Sequence, residues 1–169
     1  MAAPRTGPYI GAVTLPLQIA PPLAQRSDGA AGAPPISVVL ADDHELMRAR
    51  LRSLFEEDEQ IEVIADTGEL REAMRWVLRT RPRVLVLDMS MPSGSSIEAI
   101  RRLRARLPET EIVALKMEAN AAFARHAFEA GAIAFVLKDT ADGELLDAVR
   151  HAARGERYLS PRLAGALGG

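Results

Sequence analysis

The chain has 169 residues, of which 48% are hydrophobic, and this is enough to bury one core in a single domain. Its 21 lysines and arginines nearly balance 23 acidic residues, so the formal net charge of -2 excludes a whole-chain electrostatic attraction to DNA or to a membrane. The chain contains no cysteine, which excludes disulfides and thiolate metal sites and favours a cytoplasmic location.

Residues 1–35 form a proline-rich N-terminal segment. Seven of the eleven prolines lie here, at positions 4, 8, 16, 21, 22, 34 and 35, and they disfavour regular helices and strands. We therefore expect a poorly ordered tail, with a segment that docks on a partner as the alternative. The most apolar stretch, residues 9–20, is interrupted by Pro16, so it is predicted neither as a signal peptide nor as a membrane span.

Residues 36–154 alternate five short apolar runs with amphipathic segments. The runs cover residues 36–41, 61–65, 84–87, 112–115 and 134–137, and they predict buried β-strands. The segments between them repeat apolar residues at helical spacing, as in Met47, Leu51, Leu54 and Phe55. This (βα)5 pattern predicts an α/β domain with a doubly wound, flavodoxin-like parallel sheet of five strands in the order 2-1-3-4-5.

Charged residues stand at the ends of four predicted strands. Asp42 and Asp43 follow the first strand, Asp88 the third and Lys116 the fourth, and Lys138 stands at the end of the fifth. Because parallel strands bring their carboxyl ends to one edge, the three acids should meet where the strand order reverses. Repulsion between carboxylates favours a bound cation, and ligands that are all oxygen suit Mg²⁺.

This convergence predicts phosphoryl chemistry at Asp88. A carboxylate can attack a phosphoryl group in line and form an acyl phosphate, while a metal ion and a lysine offset charge on the transferring oxygens. An aspartyl-phosphatase-type hydrolase is an alternative, but such enzymes usually place a second acid two residues later, where this chain has Ser90. We therefore expect no enzyme acting on a metabolite, and at most Mg²⁺-dependent self-phosphorylation and autodephosphorylation.

Several stretches resemble the receiver domains of bacterial response regulators. Residues 39–44 (VLADDH), 86–92 (VLDMSMP) and 136–138 (VLK) carry the general resemblance, which covers about residues 36–154. Residues 130–139 (AGAIAFVLKD) and 155–161 (GERYLSP) are similar to the NarL/FixJ (LuxR-type) subfamily. The chain is thus expected to act in two-component signalling, with a sensor histidine kinase as its partner.

The resemblance implies a role for each residue at the predicted edge. Asp88 would accept the phosphoryl group, and Mg²⁺ would be held by Asp43, Asp88 and the backbone carbonyl of Ser90. Asp42 would support the metal through water. Lys138 would contact the phosphoryl group, and Phe135 stands at the aromatic switch position.

Lys116 departs from the family pattern, because it occupies the place of a serine or threonine after the fourth strand. A lysine there can pair with phosphoryl oxygens as a mobile point charge. Alternatively, it pairs with Asp88 at rest and displaces Mg²⁺, which would make the domain a phosphorylation-independent pseudo-receiver used for protein interaction or dimerisation. An incidental, outward-pointing side chain is the third interpretation. The added positive charge predicts weaker Mg²⁺ binding.

The resemblance also implies a homodimer and control of transcription through a DNA-binding domain. Residues 155–169 are predicted to be a linker stub, and the eight residues after Pro161 leave no room for a recognition helix. Contact with DNA is therefore expected only through a domain outside this chain.

Two further groups of charged residues are predicted to be ordinary surface. The arginines at positions 101, 102, 104 and 106 are spread by helical spacing over a solvated face. The histidines at positions 44, 126 and 151 lack metal-ligand spacing, although His44 can influence the acids beside it.

Overall fold

Six parallel strands form the central sheet of the protein, whose computed structural model describes residues 32–167. The strands are β1 (Ile36–Ala41), β2 (Ile61–Thr67), β3 (Val84–Asp88), β4 (Glu111–Lys116), β5 (Ala134–Leu137) and β6 (Tyr158–Leu159). They are arranged in the order β2-β1-β3-β4-β5-β6, so the predicted order of the first five is confirmed. The predicted tail over residues 1–35 lies, as far as residue 31, outside the described residues.

Helices cover both faces of the sheet. They are α1 (Glu45–Glu56), α2 (Leu70–Thr80), α3 (Ser96–Arg106), α4 (Ala121–Ala130), α5 (Ala141–Ala153) and α6 (Pro161–Leu167), and a short 3₁₀ turn spans Lys138–Thr140. One apolar core lies under α2, α3 and α4, and a second lies under α1 and α5. This is the predicted doubly wound α/β architecture. Within the described residues, no helix is long and apolar enough to cross a bilayer.

The central strands are apolar on both sides because each faces helices on both sides. In β3, Val84 and Val86 enter the core under α1 and α5, whereas Leu85 and Leu87 enter the core under α2 to α4. The two sets alternate because successive side chains of a strand point to opposite faces. The result is a fully buried strand that delivers Asp88 to the carboxyl edge of the sheet.

Side-chain caps set the beginnings of the two helices that follow β3 and β4. Ser95 accepts a hydrogen bond from the Glu98 backbone N–H at the start of α3, and Asn120 accepts one from Phe123 at the start of α4. Such caps satisfy backbone donors that have no partner within the helix. At the other end of α4, Gly131 has a φ of 120°, which a residue with a side chain rarely adopts.

The sheet has one strand more than the five predicted from sequence. Tyr158 donates its backbone N–H to the Ile133 carbonyl at 3.2 Å, and Ser160 donates to the Phe135 carbonyl at 2.9 Å. Leu163, on α6, is fully buried in the core. Part of the segment predicted as a linker stub therefore packs on the domain, and a two-residue strand is too short to leave a periodic pattern in the sequence.

Candidate functional site

Four side chains that can ligate a metal meet at the carboxyl edge of β1 and β3. Asp42, Asp43 and His44 follow β1, and Asp88 is the last residue of β3. Each contributes a ligand atom, and these atoms lie within 4.8 Å of one another. Because β1 and β3 are neighbours, the topology alone brings the three acids together. Asp42 and Asp88 are fully buried, so their charges depend on nearby partners.

Lys138 is the positive charge inside this cluster. It begins the turn after β5 and is only 3% exposed. Its Nζ atom donates a hydrogen bond to Asp88 Oδ2 at 2.8 Å and lies 2.9 Å from Asp42 Oδ2. A buried lysine is stable only when it is paired, and here one ammonium group serves two buried carboxylates.

Backbone N–H groups orient the two buried acids. Ser90 donates its backbone N–H to Asp88 Oδ1 at 2.8 Å, and His44 donates its own to Asp42 Oδ1 at 2.9 Å. The Ser96 hydroxyl donates to the Asp88 carbonyl at 3.2 Å, which ties the start of α3 to the end of β3. The Asp88 side chain is therefore held at both oxygens, by Ser90 on one side and Lys138 on the other.

The donors in the cluster do not satisfy all of its oxygens. Asp43 Oδ1 is buried and accepts no hydrogen bond within the described part of the chain, and Asp42 Oδ2 is satisfied only by its charge contact with Lys138. Buried acceptors without a donor are unfavourable, and a divalent cation with oxygen ligands would satisfy them. The residues present therefore fit Mg²⁺, with Asp42, Asp43 and Asp88 as the side chains that would hold it. The Ser90 carbonyl as a further ligand stays a prediction.

Asp43 has a perturbed carboxyl group. Partial burial raises the pKa of Asp43, its hydrogen-bonded and electrostatic interaction with Asp88 raises this pKa further, and His44 lowers it. These shifts indicate that the acids are close enough to compete for protons. A metal ion would relieve this competition by favouring the ionised forms.

His44 was predicted to be an ordinary surface or capping residue, yet it borders the acids. Its side chain is 62% exposed, and Nδ1 lies 3.3 Å from Asp43 Oδ1 and 3.5 Å from Asp42 Oδ1. Nδ1 also lies 3.4 Å from Lys138 Nζ. His44 occupies the N-cap position of α1 without a side-chain capping bond. Its position directly after an acid pair is the only sequence signal that points to this role.

Lys116 ends β4 beside the cluster but outside it. Its Nζ atom lies 3.4 Å from Ser90 Oγ and 4.5 Å from the ring centre of Phe123 on α4. Among residues 32–167, Lys116 forms no ion pair with Asp88. The resting Lys116–Asp88 pair considered from sequence is therefore not the arrangement seen here. The lysine instead places its charge between a hydroxyl and an aromatic face.

Phe135 lies in the core and not at the surface of the cluster. It is fully buried in β5, where it is paired with Ala114 of β4 and Leu159 of β6. Its side chain belongs to the apolar core under α2 to α4. Its role as an aromatic switch stays a prediction.

An apolar hollow opens next to the acids. It has a volume of about 280 Å³ and is lined by His44, Leu46, Met47, Met117 and Lys138. Leu46 is 86% exposed and Met117 is 54% exposed, which is unusual for large apolar side chains. The hollow gives the cluster an apolar rim on the side of Lys138.

Comparisons with known proteins agree with the fold. The family described as "Response regulator receiver domain" matches residues 38–150. The oxygen regulatory protein NreC of Staphylococcus epidermidis is 35% identical over 133 residues, which are 78% of this chain and 61% of that protein. The DNA-binding transcriptional activator DevR/DosR of Mycobacterium tuberculosis is 36% identical over 132 residues, which are 78% of this chain and 61% of that protein.

A solved structure shows the same likeness. A LuxR-family two-component response regulator from an Aurantimonas species is similar with a TM-score of 0.74 and 34% identity, covering 78% of this chain and 94% of that one. The chain thus corresponds to almost all of that structure, but it spans only 61% of the length of NreC or of DevR/DosR.

Proposed function

Because the chain belongs to the response regulator receiver domain family, with LuxR-type relatives, we propose that Asp88 accepts a phosphoryl group from a sensor histidine kinase in the cytoplasm. One observation carries this proposal. Asp88 is a fully buried carboxylate at the end of β3, contacted by Lys138 at 2.8 Å and surrounded by two further acids. Such a carboxylate is held ready for reaction and is shielded from competing water.

The chemistry follows from these contacts. A carboxylate oxygen of Asp88 forms a bond to phosphorus while the bond from phosphorus to the donor nitrogen breaks, and the electron pair leaves with that nitrogen. Lys138 is close enough to follow the charge from the carboxylate to the phosphoryl oxygens. Mg²⁺, when bound, neutralises further charge on those oxygens.

Lys116 is the feature that separates this proposal from a pseudo-receiver. It is not paired with Asp88 in the described residues, which supports an Asp88 that is free to react. Its charge beside Ser90 nevertheless opposes a cation at the acids. A pseudo-receiver that works only through protein contacts is therefore the second candidate, and it would need Lys116 to occupy the cation position.

The direct test is phosphorylation of the purified chain. Incubation with a small acyl phosphate donor and Mg²⁺ should add one phosphoryl group, measured by intact-protein mass spectrometry. Asp88→Asn should abolish the increment, because the amide is not a nucleophile of this kind. Asp147→Asn is the matched control, since Asp147 is an exposed acid on α5, and it should be phosphorylated like the parent protein.

The same assay with Lys116→Thr separates the two candidates. Equal increments in parent and variant would show that Lys116 is not a lock. An increment in Lys116→Thr alone would favour the pseudo-receiver. No increment in either protein under saturating donor would refute phosphorylation of Asp88.

We further propose that the protein controls transcription as a homodimer through a DNA-binding domain outside this chain. The support comes from the regulators named above, one of which is described as a DNA-binding transcriptional activator. Sedimentation of the chain before and after phosphorylation tests the dimer. An unchanged monomer at micromolar concentration would contradict it for this part of the protein.

A further inference from the structure

A strongly basic surface lies away from the acidic cluster. Residues 70–106, which include α2 and α3, contain nine arginines and only three acids, and one of these acids is the buried Asp88. The whole chain has a formal net charge of -2, so positive charge is concentrated in this part of the molecule. Neither the proposed phosphoryl transfer nor the metal site uses it.

Some of these arginines have structural partners. Arg104, predicted as part of a solvated face, instead donates to the Gly131 carbonyl at 2.6 Å and pairs with Glu111. Arg101 and Arg102 share Glu98, which lies one turn away on the same helix. These three arginines therefore contribute to the fold or are partly neutralised.

Four other arginines have neither an acidic partner nor a side-chain hydrogen bond in the part of the chain that the structure describes. They are Arg71, Arg75 and Arg79 on α2 and Arg106 on α3. The spacing of four residues places the first three in a row along one side of α2. Arg79 lies over the ring of Trp76, 5.6 Å from its centre, and is the only one of the four with an aromatic contact. Their charges face solvent without compensation.

Arginines border both sides of a groove between α2 and α3. The groove has a volume of about 450 Å³, with Arg71 on the α2 side and Arg102 and Arg106 on the α3 side. Its remaining lining is Met74, Leu78 and Ala105, which are apolar. Leu78 is 38% exposed and also lines a second hollow, together with Trp76 and Glu72. Within the groove, an apolar floor thus lies between arginine side chains of the two helices.

We propose that this α2–α3 groove binds an acidic amphipathic helix of a partner protein. The apolar floor matches the apolar face of such a helix, and the arginines on both edges match acidic residues that flank that face. A nucleic-acid backbone would satisfy the arginines but would leave Met74 and Leu78 against charged phosphates. The pattern of charge, apolar floor and charge therefore favours a helix over a nucleic acid.

Trp76 provides a nearby fluorescent reporter, because it is the only tryptophan in the chain and shares the adjacent hollow with Leu78, which also lines the groove. The probe is a synthetic helical peptide of about 18 residues, with leucines along one face and glutamates on both flanks. It should change Trp76 fluorescence in a saturable way, with weaker binding at higher salt. A peptide of the same composition in scrambled order should not bind, and a version with lysine in place of glutamate should not bind either.

Charge-reversed variants locate the binding site. Arg71→Glu combined with Arg106→Glu should weaken peptide binding about tenfold, because two attractions become repulsions. Arg125→Glu combined with Arg157→Glu is the matched control, since these two arginines change the net charge equally but line a different hollow. Leu78→Gln, which leaves the arginines in place, should weaken binding about fivefold. Thermal unfolding of each variant checks that it folds.

Several results would overturn the proposal. One is the absence of saturable peptide binding at low salt, and another is equal binding of the lysine peptide. Equal weakening by the control pair would assign the effect to net charge. Tighter binding of a duplex DNA of about 20 base pairs than of the peptide, lost in Arg71→Glu with Arg106→Glu, would assign the groove to nucleic acid instead.

Discussion

Lys116 and Lys138 end or follow neighbouring strands of one sheet, yet they differ in surroundings. Lys138 is 3% exposed and contacts two buried carboxylates at 2.8 and 2.9 Å. Lys116 is partly exposed and contacts a hydroxyl and an aromatic ring. A shared position at the strand ends therefore brings both charges to one edge of the sheet. Only the buried lysine, however, is needed to neutralise the buried acids. Lys138 completes the acidic cluster, whereas Lys116 only modifies it.

The largest expected difference is in stability. Lys138→Met should lower the free energy of unfolding by about 3 kcal/mol in Mg²⁺-free buffer, because it leaves Asp42 and Asp88 buried without a cation. Lys116→Met should change it by less than about 0.5 kcal/mol. Urea unfolding measures both. Adding Asp88→Asn to Lys138→Met should recover part of the lost stability. Equal losses in Lys138→Met and Lys116→Met would show that the two lysines do not differ in their contribution to stability.

A second prediction concerns the cation that the acids can hold beside Lys138. Mg²⁺ at about 100 times its dissociation constant should stabilise the parent protein by about 2.7 kcal/mol, and a chelator should remove this gain. Asp43→Asn should abolish the response, because Asp43 Oδ1 is a buried acceptor without a donor within the described residues. Denaturation with and without Mg²⁺ is the measurement. A full response in Asp43→Asn would place the cation elsewhere.

A smaller effect is expected at Lys116 itself. Lys116→Thr should raise Mg²⁺ affinity about threefold, because it removes one positive charge beside the acids. Lys116→Arg retains the charge and should bind Mg²⁺ like the parent. Titration followed by calorimetry compares the three proteins. A similar gain in Lys116→Arg would show that side-chain shape, and not charge, controls affinity.

The smallest effect should come from the aromatic partner of Lys116. Phe123→Leu removes the ring but keeps an apolar side chain, and it should cost about 0.5 kcal/mol of stability. In a Lys116→Met background the same substitution should cost less, since no cation remains to interact with the ring. Urea unfolding of the four proteins gives the coupling directly. Identical costs in both backgrounds would show that the contact carries no energy.

Much of this architecture is predictable from sequence for identifiable reasons. The apolar run 112–115 lies within β4, because a continuous apolar run is a strong signal for a buried strand. The helical spacing of Met47, Leu51, Leu54 and Phe55 falls within α1. Convergence of the three acids follows from parallel topology once the strand order is known. These inferences need only local pattern and chain connectivity.

Other features depend on side-chain conformation or on contacts between distant segments. The position of His44 Nδ1 against Asp43 and the contact of Lys116 with Phe123 depend on rotamers, which a strand-end argument does not specify. Arg104 looks like one of four surface arginines until Gly131 and Glu111 are placed beside it. The strand β6 is held by contacts more than twenty residues apart, such as Ser160 to Leu137.

That last contact has a mechanical consequence. The Leu137 N–H donates to Ser160 Oγ at 3.0 Å, and Leu137 immediately precedes Lys138. Ser160 is itself anchored to the Phe135 carbonyl, and Leu163 beyond it is fully buried. A load applied to the chain after Ser160 is therefore borne by β5, one residue away from the lysine that contacts Asp88. We therefore expect a displacement of this segment to shift the end of β5 and, with it, the ammonium group.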